Sequence, residues 1–345
     1  MLSLLILRDR IVWFGNHTGY EQLPGYFPAG QSLQMVQPRR GQWARYAGSG
    51  YARLNGNPGR GGISLSELEF RLTRRWLRPQ VNHVLYLENH LELLQPWIKA
   101  PKDLIGTVHL PPITWSPERL SALARLNSAI VLYQRDIPFF EQYIGRGRVR
   151  FIHHGADADF FKPDGAKQPA LPRILYAGVY LRNEPMLVRL VPRLLAKYPE
   201  LKFDLLVPTH HRPKSALAPL LNHPAATWHA GLSDEQLREL YQQSYLLLLP
   251  MNDSGANTVV VESLASGLPV VTTDVGGIRD YGGDSIFPVV TNNDDDAMID
   301  LVGQYLDKPS WRNEIGQQCR QFAEKTLAWP LIVHRHLEVY HELTA

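Results

Sequence analysis

Cysteine is nearly absent from this sequence: Cys319 is the single one in 345 residues. That excludes a disulfide framework and a thiolate metal cage, and it points to a reducing compartment. No apolar run approaches the roughly 18 residues needed to span a membrane. Met1 to Leu7 is apolar but too short for the core of a signal peptide, and Arg8, Asp9 and Arg10 interrupt it. Of the 13 histidines, none belongs to an HExxH pair. His153–His154 and His210–His211 are adjacent, and side chains of adjacent residues diverge on a helix or strand. We therefore expect no metal site. Internal repeats are missing too, which argues against a solenoid.

What is present describes an ordinary globular chain, 44% hydrophobic and 20% charged, long enough for two domains. Its charge is uneven. Residues 1–165 carry 20 Lys and Arg against 13 Asp and Glu, whereas the remainder carries 16 against 20. A basic first half suits an anionic partner, and a solvated arginine-rich surface is the other reading.

In the second half, short apolar runs alternate with helical patterns. Arg173–Gly178, Phe203–Val207, Tyr245–Leu249 and Pro269–Thr273 read as buried strands. Glu184–Lys197 and Asp234–Gln243 read as amphipathic helices, the latter opening on the capping-box spacing of Ser233 and Gln236. Such alternation implies a parallel sheet covered on both faces, a Rossmann-like domain. The first half repeats the theme loosely. Ile11–Phe14 reads as a strand leading into the glycine loop Gly15–Gly19. Asn82–Leu87, Leu104–His109, Ala129–Leu132 and Val149–Ile152 are further candidate strands, and Ser116–Leu126 and Ile137–Tyr143 look helical. From Gln37 to Gly62 the pattern lapses into Arg, Gly, Gln and Asn. Its glycines lack the Lys-Ser/Thr ending of a phosphate loop, so a mobile surface loop is expected there. Pro163, Gly165, Pro169 and Pro172 mark the connection between halves.

The strongest local signal runs from Asp253 to Val271. A strand ends at Pro250, Asn257 stands at an N-cap position, and Thr258–Ser266 forms a helix closed by Gly267 and Pro269. Free N–H groups of Thr258 and Val259 would stabilise an anion at the carboxyl end of the sheet. Valine is a mediocre helix former, so Val259–Val261 implies burial against the sheet. Glu262 lies about 7 Å into the helix, at about 1.5 Å per residue, among apolar neighbours. A carboxylate there must find donors or water, and two ribose hydroxyls would serve; a solvated helix stripe is the alternative.

This stretch resembles the donor-binding motif of retaining GT-B glycosyltransferases of family 4. Other landmarks follow in order: Phe151–Phe161 with Pro163, Ile174–Gly178, His229–Leu237 with Tyr241, and Thr326–Tyr340 with Trp329. The resemblance is dense from 150 to 345 and thin from 1 to 148. It implies an α/β chain of two Rossmann-like domains facing a cleft. These are an acceptor domain over 1–165, a nucleotide-sugar donor domain over 166–327, and a C-terminal helix over 328–345 that packs back on the first domain. It implies retaining transfer of a sugar from a nucleotide-diphosphate sugar to a hydroxyl acceptor, a sugar or a lipid-linked one. Cofactors are none, because dipole and cations take the place of a metal. Nucleic acid is not expected as a partner, and the setting is cytoplasmic.

The resemblance also assigns residues. His109 is placed near the transferred sugar. Gly19, Gly178, Arg182, Gly231, Leu232, Ser254, Asn257, Thr258, Val259 and Glu262 are placed around the donor. Two departures stand out. Eight residues before Glu262 the family has a second glutamate, and here Ser254 stands beside Asp253. After Gly178 the family has arginine and then lysine, and here Val179 follows, leaving Arg182 to hold the diphosphate. Two other readings remain open: a nucleotide-sugar 2-epimerase on the same fold, and a degenerate, non-catalytic nucleotide-sugar-binding protein. Arg71, Arg74, Arg75 and Arg78 have helical spacing and follow Arg39, Arg40, Arg45, Arg53 and Arg60. We expect them to capture an anionic acceptor or to associate with an anionic membrane at its inner face.

Overall fold

The computed structural model describes residues 2–11, 14–39, 41–54, 60–94, 103–165, 171–255 and 257–344. The chain divides into two compact units. The first comprises Met1–Phe14, Gly19–His153 and Ile332–Ala345, and the second comprises Gly15–Thr18 and His154–Leu331.

The first unit holds strands β1 (Ser3–Leu7), β2 (Ser32–Val36), β3 (Val81–Val84), β4 (Leu104–Val108), β5 (Ser128–Val131) and β6 (Val149–Phe151). All pair in parallel, in the order β2-β1-β3-β4-β5-β6, with Leu4 between Leu33 and Val81. Helices α1 (Gln42–Leu54), α2 (Gly61–Leu77), α3 (Pro117–Ala122) and α4 (Ile137–Ile144) belong to the same unit. Ser116 caps α3 by accepting from the Arg119 amide, and Pro117 supplies the preset dihedral of a first helical residue. Leu5, Leu7, Phe70, Val84, Leu104, Trp115 and Phe140 share one core. The opening strand is Ser3–Leu7. Ile11 and Phe14 are outside it, and Val12 and Trp13 lie outside the described residues.

The expected loop over 37–62 is corrected by α1, which occupies 42–54, and by α2, which starts at Gly61; positions 55–59 lie outside the described residues. Glycine is a poor helix former, which hid α1 from pattern reading. Its glycine serves close packing instead. Ala44, Gly48 and Ala52 form the buried face of α1, and a methyl at Gly48 would lie 1.8 Å from the Gly61 carbonyl oxygen. The outward face carries Trp43, Tyr46 and Leu54, 82%, 76% and 73% exposed.

In the second unit, β7 (Arg173–Ala177), β8 (Lys202–Leu206), β9 (Ala226–His229), β10 (Leu246–Leu249), β11 (Val270–Thr273) and β12 (Val289–Val290) form a parallel sheet. Its order is β12-β11-β10-β7-β8-β9. The central strands β10 and β11 and most of β7 are buried and largely apolar, as a sheet covered on both faces requires, whereas the edge strand β9 is polar. Helices α5 (Glu184–Lys197), α6 (Asp234–Gln242) and α7 (Thr258–Ala265) connect strands, and α8 (Asp295–Asp307) and α9 (Pro309–Phe322) follow β12. Asn183 caps α5 through the Met186 amide, and Ser233 and Gln236 complete the capping box of α6.

A wide turn over Ala323–Leu327 precedes α10 (Trp329–Thr344). Trp329 groups with the second unit, where its ring fills the space that a side chain at Gly155 would need, 2.2 Å away. Residues from Ile332 onward group with the first unit, where His336 bonds to Tyr20 at 2.8 Å and Tyr340 to His83 at 2.6 Å.

Candidate functional site

The strand order of the second sheet reverses between β7 and β10, so the loops leaving their carboxyl ends run side by side. Open α/β sheets bind ligands at such a switch point. The two loops are stitched together: Arg182 and Met251 form an antiparallel bridge, the Asn183 amide donates to Pro250, and the Asn252 amide donates to Leu181, each at 2.9 Å. Gly178 turns the chain at φ +85°, and a side chain on it would lie 3.0 Å from an Arg182 guanidinium nitrogen. Leu181 is also left-handed, φ +58°, a strained conformation for a branched residue.

Arg182 is held over this turn. Its Nε donates to the Ala177 carbonyl at 3.0 Å, Nη1 to the Tyr180 carbonyl at 3.1 Å, and Nη2 to Asn257 Oδ1 at 3.3 Å. Asn257 occupies the N-cap position of α7, but its side chain makes no cap bond. Its oxygen takes Arg182 and its amide approaches Met251 Sδ at 3.1 Å, which corrects the expectation of an ordinary cap. Among the described residues no side-chain cap therefore reaches the Thr258 and Val259 amides, which stand beside a fixed guanidinium. Dipole and cation act on the same point, an arrangement that attracts phosphate. His154, passed over in the sequence because adjacent histidines make a poor metal pair, places Nε2 3.5 Å from the Thr258 hydroxyl.

Glu262 is buried, with 3% of its surface exposed, which rules out the solvated stripe. Tyr241 donates its hydroxyl to Oε2 at 2.8 Å, while Oε1 lacks a hydrogen bond of good geometry. Burial pushes the carboxyl up to about 8, against the lowering effects of Tyr241 and Thr18. A buried carboxyl in that state is ready for hydroxyl donors that favour its ionised form. Val260 and Val261 are buried as the valine run implies, whereas Val259 is half-exposed.

The remaining donor-site candidates are placed less uniformly. Gly231, φ +63°, is exposed just ahead of α6, and Leu232 is half-buried. Ser254 is fully enclosed, its hydroxyl donating to the Gly255 carbonyl at 3.2 Å. It packs so tightly that a methyl at Gly276 would lie 2.5 Å from its Cβ. The glycine loop Gly15–Thr18 belongs to this unit: the Asn16 amide donates to Asp234, His17 bonds to Asp157 at 2.6 Å, and its ring stacks on Phe160 at 3.8 Å.

Gly19 and His109 belong to the first unit. Gly19, φ +94°, starts the turn that seats Tyr20, whose ring meets the His109 ring edge-on at 4.8 Å. His109 also stacks on Tyr86 at 4.3 Å, and Glu88 Oε1 lies 3.3 Å from its Nδ1. Neither ring nitrogen has a hydrogen bond of good geometry, although both are buried.

Residues 172–308 match the family model described as glycosyl transferases group 1. A D-inositol 3-phosphate glycosyltransferase of Streptomyces avermitilis is 26% identical over 218 residues, 56% of this chain and 47% of the relative. The chain spans about half the length of the curated relatives it matches. Among solved structures, sucrose-phosphate synthase from Thermosynechococcus elongatus superposes with a TM-score of 0.78 at 16% identity, covering 99% of each chain. Anabaena HepE in complex with UDP-glucose gives 0.73 at 13% identity, covering 99% of this chain and 100% of its own. The chain therefore has the two-sheet GT-B fold of these structures, and its residues 172–308 are similar to the glycosyl transferases group 1 family.

Proposed function

We propose that this protein transfers a sugar from a nucleotide-diphosphate sugar to a hydroxyl acceptor with retention of configuration. The observation that carries the proposal is the convergence of Arg182, the Thr258 and Val259 amides and the buried Glu262 at one switch point. In this reading Glu262 accepts from the ribose hydroxyls, and the helix amides with Arg182 take up charge as the diphosphate departs. No metal is required for that task. His109 is the residue that the family resemblance assigns to the transferred sugar.

The enclosure of Ser254, where the family carries an acid, favours one second reading: nucleotide-sugar binding without turnover. A panel of UDP, GDP and ADP sugars, incubated with and without hydroxyl acceptors, separates the two. Uridine sugars head the panel because HepE is solved with UDP-glucose. Transfer gives acceptor-dependent nucleoside diphosphate and a product of unchanged anomeric configuration. Tight donor binding with no diphosphate released under any acceptor contradicts it.

The acceptor proposal also takes a different surface from the one that sequence spacing suggested. Arg71 donates to the Leu93 carbonyl at 2.8 Å and Arg74 pairs with Asp103, so neither is free to face a partner. Arg39 and Arg60 are likewise paired, with Glu69 and Glu92, and Arg40 lies outside the described residues. Arg45, Arg53, Arg75 and Arg78 are exposed and have no ion pair among the described residues. No carboxylate occurs between Glu21 and Glu67. Arg45 and Arg53 flank the outward Trp43, Tyr46 and Leu54 of α1, the composition of a helix that rests in an anionic lipid interface. In this proposal the acceptor is lipid-linked and α1 lies on the membrane that holds it.

A further inference from the structure

A second cavity in the second unit lies beyond the proposed donor residues and shares with them only the wall formed by Tyr241, the donor to Glu262. It has a volume of about 440 Å³ and opens at the far end of α7, where Ser266 and Gly267 follow the helix, between that end, the end of α6 and one face of α9. This is the size range of small-ligand sites. Arg312 enters it from α9. Its residue surface is 8% exposed, its Nη1 is buried, and no hydrogen bond or carboxylate partner reaches that nitrogen among the described residues. The guanidinium carbon lies 4.1 Å from the centroid of the Tyr245 ring, which fixes the plane of the fork.

A buried guanidinium without an acceptor is a costly arrangement, and buried polar groups without partners are uncommon in folded proteins. The carboxyl end of α7 attracts a cation through its partial charge, yet that attraction gives Nη1 no acceptor. The Ser266 hydroxyl, on the same cavity wall, is also buried without a hydrogen-bond partner among the described residues. Arg320 lines the cavity but is committed to the carbonyls of Ala158, Phe161 and Ala265 and to Glu324. Asp164, the one carboxylate among the described lining residues, has its own partner. Gln242, Asn313 and Gln317 add amides around the rim.

We infer that this cavity binds a small hydroxylated anion, a sugar phosphate or sugar acid, through Arg312 and Ser266. A planar guanidinium matches carboxylate and phosphate oxygens in two places at once, and the Ser266 hydroxyl supplies a third donor. The surrounding amides and Tyr245 suit the hydroxyls and ring of a sugar. The site stands apart from the donor residues, since Ser266 closes the helix that Asn257 opens.

The test uses the full chain with inorganic phosphate and with a hexose 6-phosphate, each against potassium chloride at equal ionic strength. Both anions raise the melting temperature of the parent protein. Arg312→Gln weakens their binding at least about tenfold, and Ser266→Ala about threefold, as loss of charge-assisted hydrogen bonds requires. Stabilisation by a nucleoside diphosphate survives in both variants. Hydrogen–deuterium exchange on the parent protein covers the case in which Arg312→Gln does not fold: the anions slow exchange at 241–245, 266–269 and 312–321. Absence of stabilisation in the parent, equal stabilisation in the variants, or protection confined to 178–183 and 257–262 overturns the inference. The last outcome assigns the anion to the switch point instead.

Discussion

The two sheets share strand number and direction, and a set of buried side chains in the first unit contrasts with the switch point of the second. In the first unit most of them answer one another. His83 bonds to Tyr340 and Thr107, His336 to Tyr20, and His90 lies between Asp9 and Glu67. In the second unit, at the switch point, no side-chain cap reaches the first amides of α7 and Glu262 Oε1 lacks a hydrogen bond of good geometry among the described residues. A closed network specifies packing, whereas open donors and acceptors at the carboxyl ends of strands wait for a ligand. His109 stands apart from that network in the first unit, enclosed by Tyr20 and Tyr86 with neither ring nitrogen in a hydrogen bond of good geometry.

The largest expected effect breaks the closed network with acid. Burial lowers the His336 pKa to about 4 and holds His83 well below its ordinary value. The unfolded chain therefore binds more protons than the folded one between about pH 6.5 and pH 4. Stability is fully present above that window and is lost as pH falls through it, by roughly 3 kcal/mol for His336 alone. His90 does not offset this. Burial alone would lower its pKa, but Asp9 and Glu67 raise it to about 9, so its contribution is lost on the alkaline side instead. Urea titrations at pH 7 and pH 5 measure the difference. Equal midpoints at the two pH values would mean that these histidines are not buried neutral.

Next in size is His109→Ala, which removes a buried ring outside the closed network of the first unit. Turnover falls about a hundredfold while the donor Michaelis constant changes little, as for a contact made in the transition state. Steady-state kinetics on the variant decides it, and turnover within about twofold of the parent returns His109 to a packing role.

Gly48→Ala follows. The added methyl must displace the Gly61 carbonyl, and overpacking of this kind costs about 2 kcal/mol. Chemical denaturation reads it, and an unchanged midpoint would remove close packing as the reason for the glycine.

The smallest effect concerns the outward face of α1, where each exposed arginine adds about 1 kcal/mol of attraction to an anionic surface. Parent protein should co-sediment with anionic vesicles at low salt and be released at high salt, and Trp43→Ala with Arg53→Ala should weaken binding at both. Equal binding to neutral and anionic vesicles would remove the membrane from the acceptor proposal.

Legibility in the sequence differed between the units for a physical reason. The second unit was readable because its central strands are short, mostly apolar runs and its helices carry caps at Asn183 and Ser233. Glu262 stood out because valines around a carboxylate force the question of what neutralises it. Strand β2 was missed because it alternates and sits at the sheet edge, β9 because it is polar, and β12 because it has only two residues. Helix α1 was hidden by its two glycines, of which Gly48 serves contact with a helix that starts seven residues after α1 ends. Arg71 and Arg74 read as a charged face because their acceptors, at 92–93 and 103, are distant in sequence. Arg312 gave no signal, since an arginine in Pro309-Ser-Trp-Arg-Asn-Glu314 reads as solvent-facing until tertiary packing buries it.

The measurement that tests the account most directly is calorimetric titration of a nucleoside diphosphate into the parent protein and Glu262→Gln across pH 6.5 to 9. The free carboxyl, pushed up to about 8, is protonated below that pH, and ribose hydroxyls favour the carboxylate. Binding must therefore release a proton below about pH 8 and tighten as pH rises toward that value. Glu262→Gln should bind about 1.5–3 kcal/mol more weakly, the range for hydrogen bonds to a charged group, and lose the pH dependence. Identical affinity and an identical pH profile in parent and variant would contradict the placement of the ribose at Glu262.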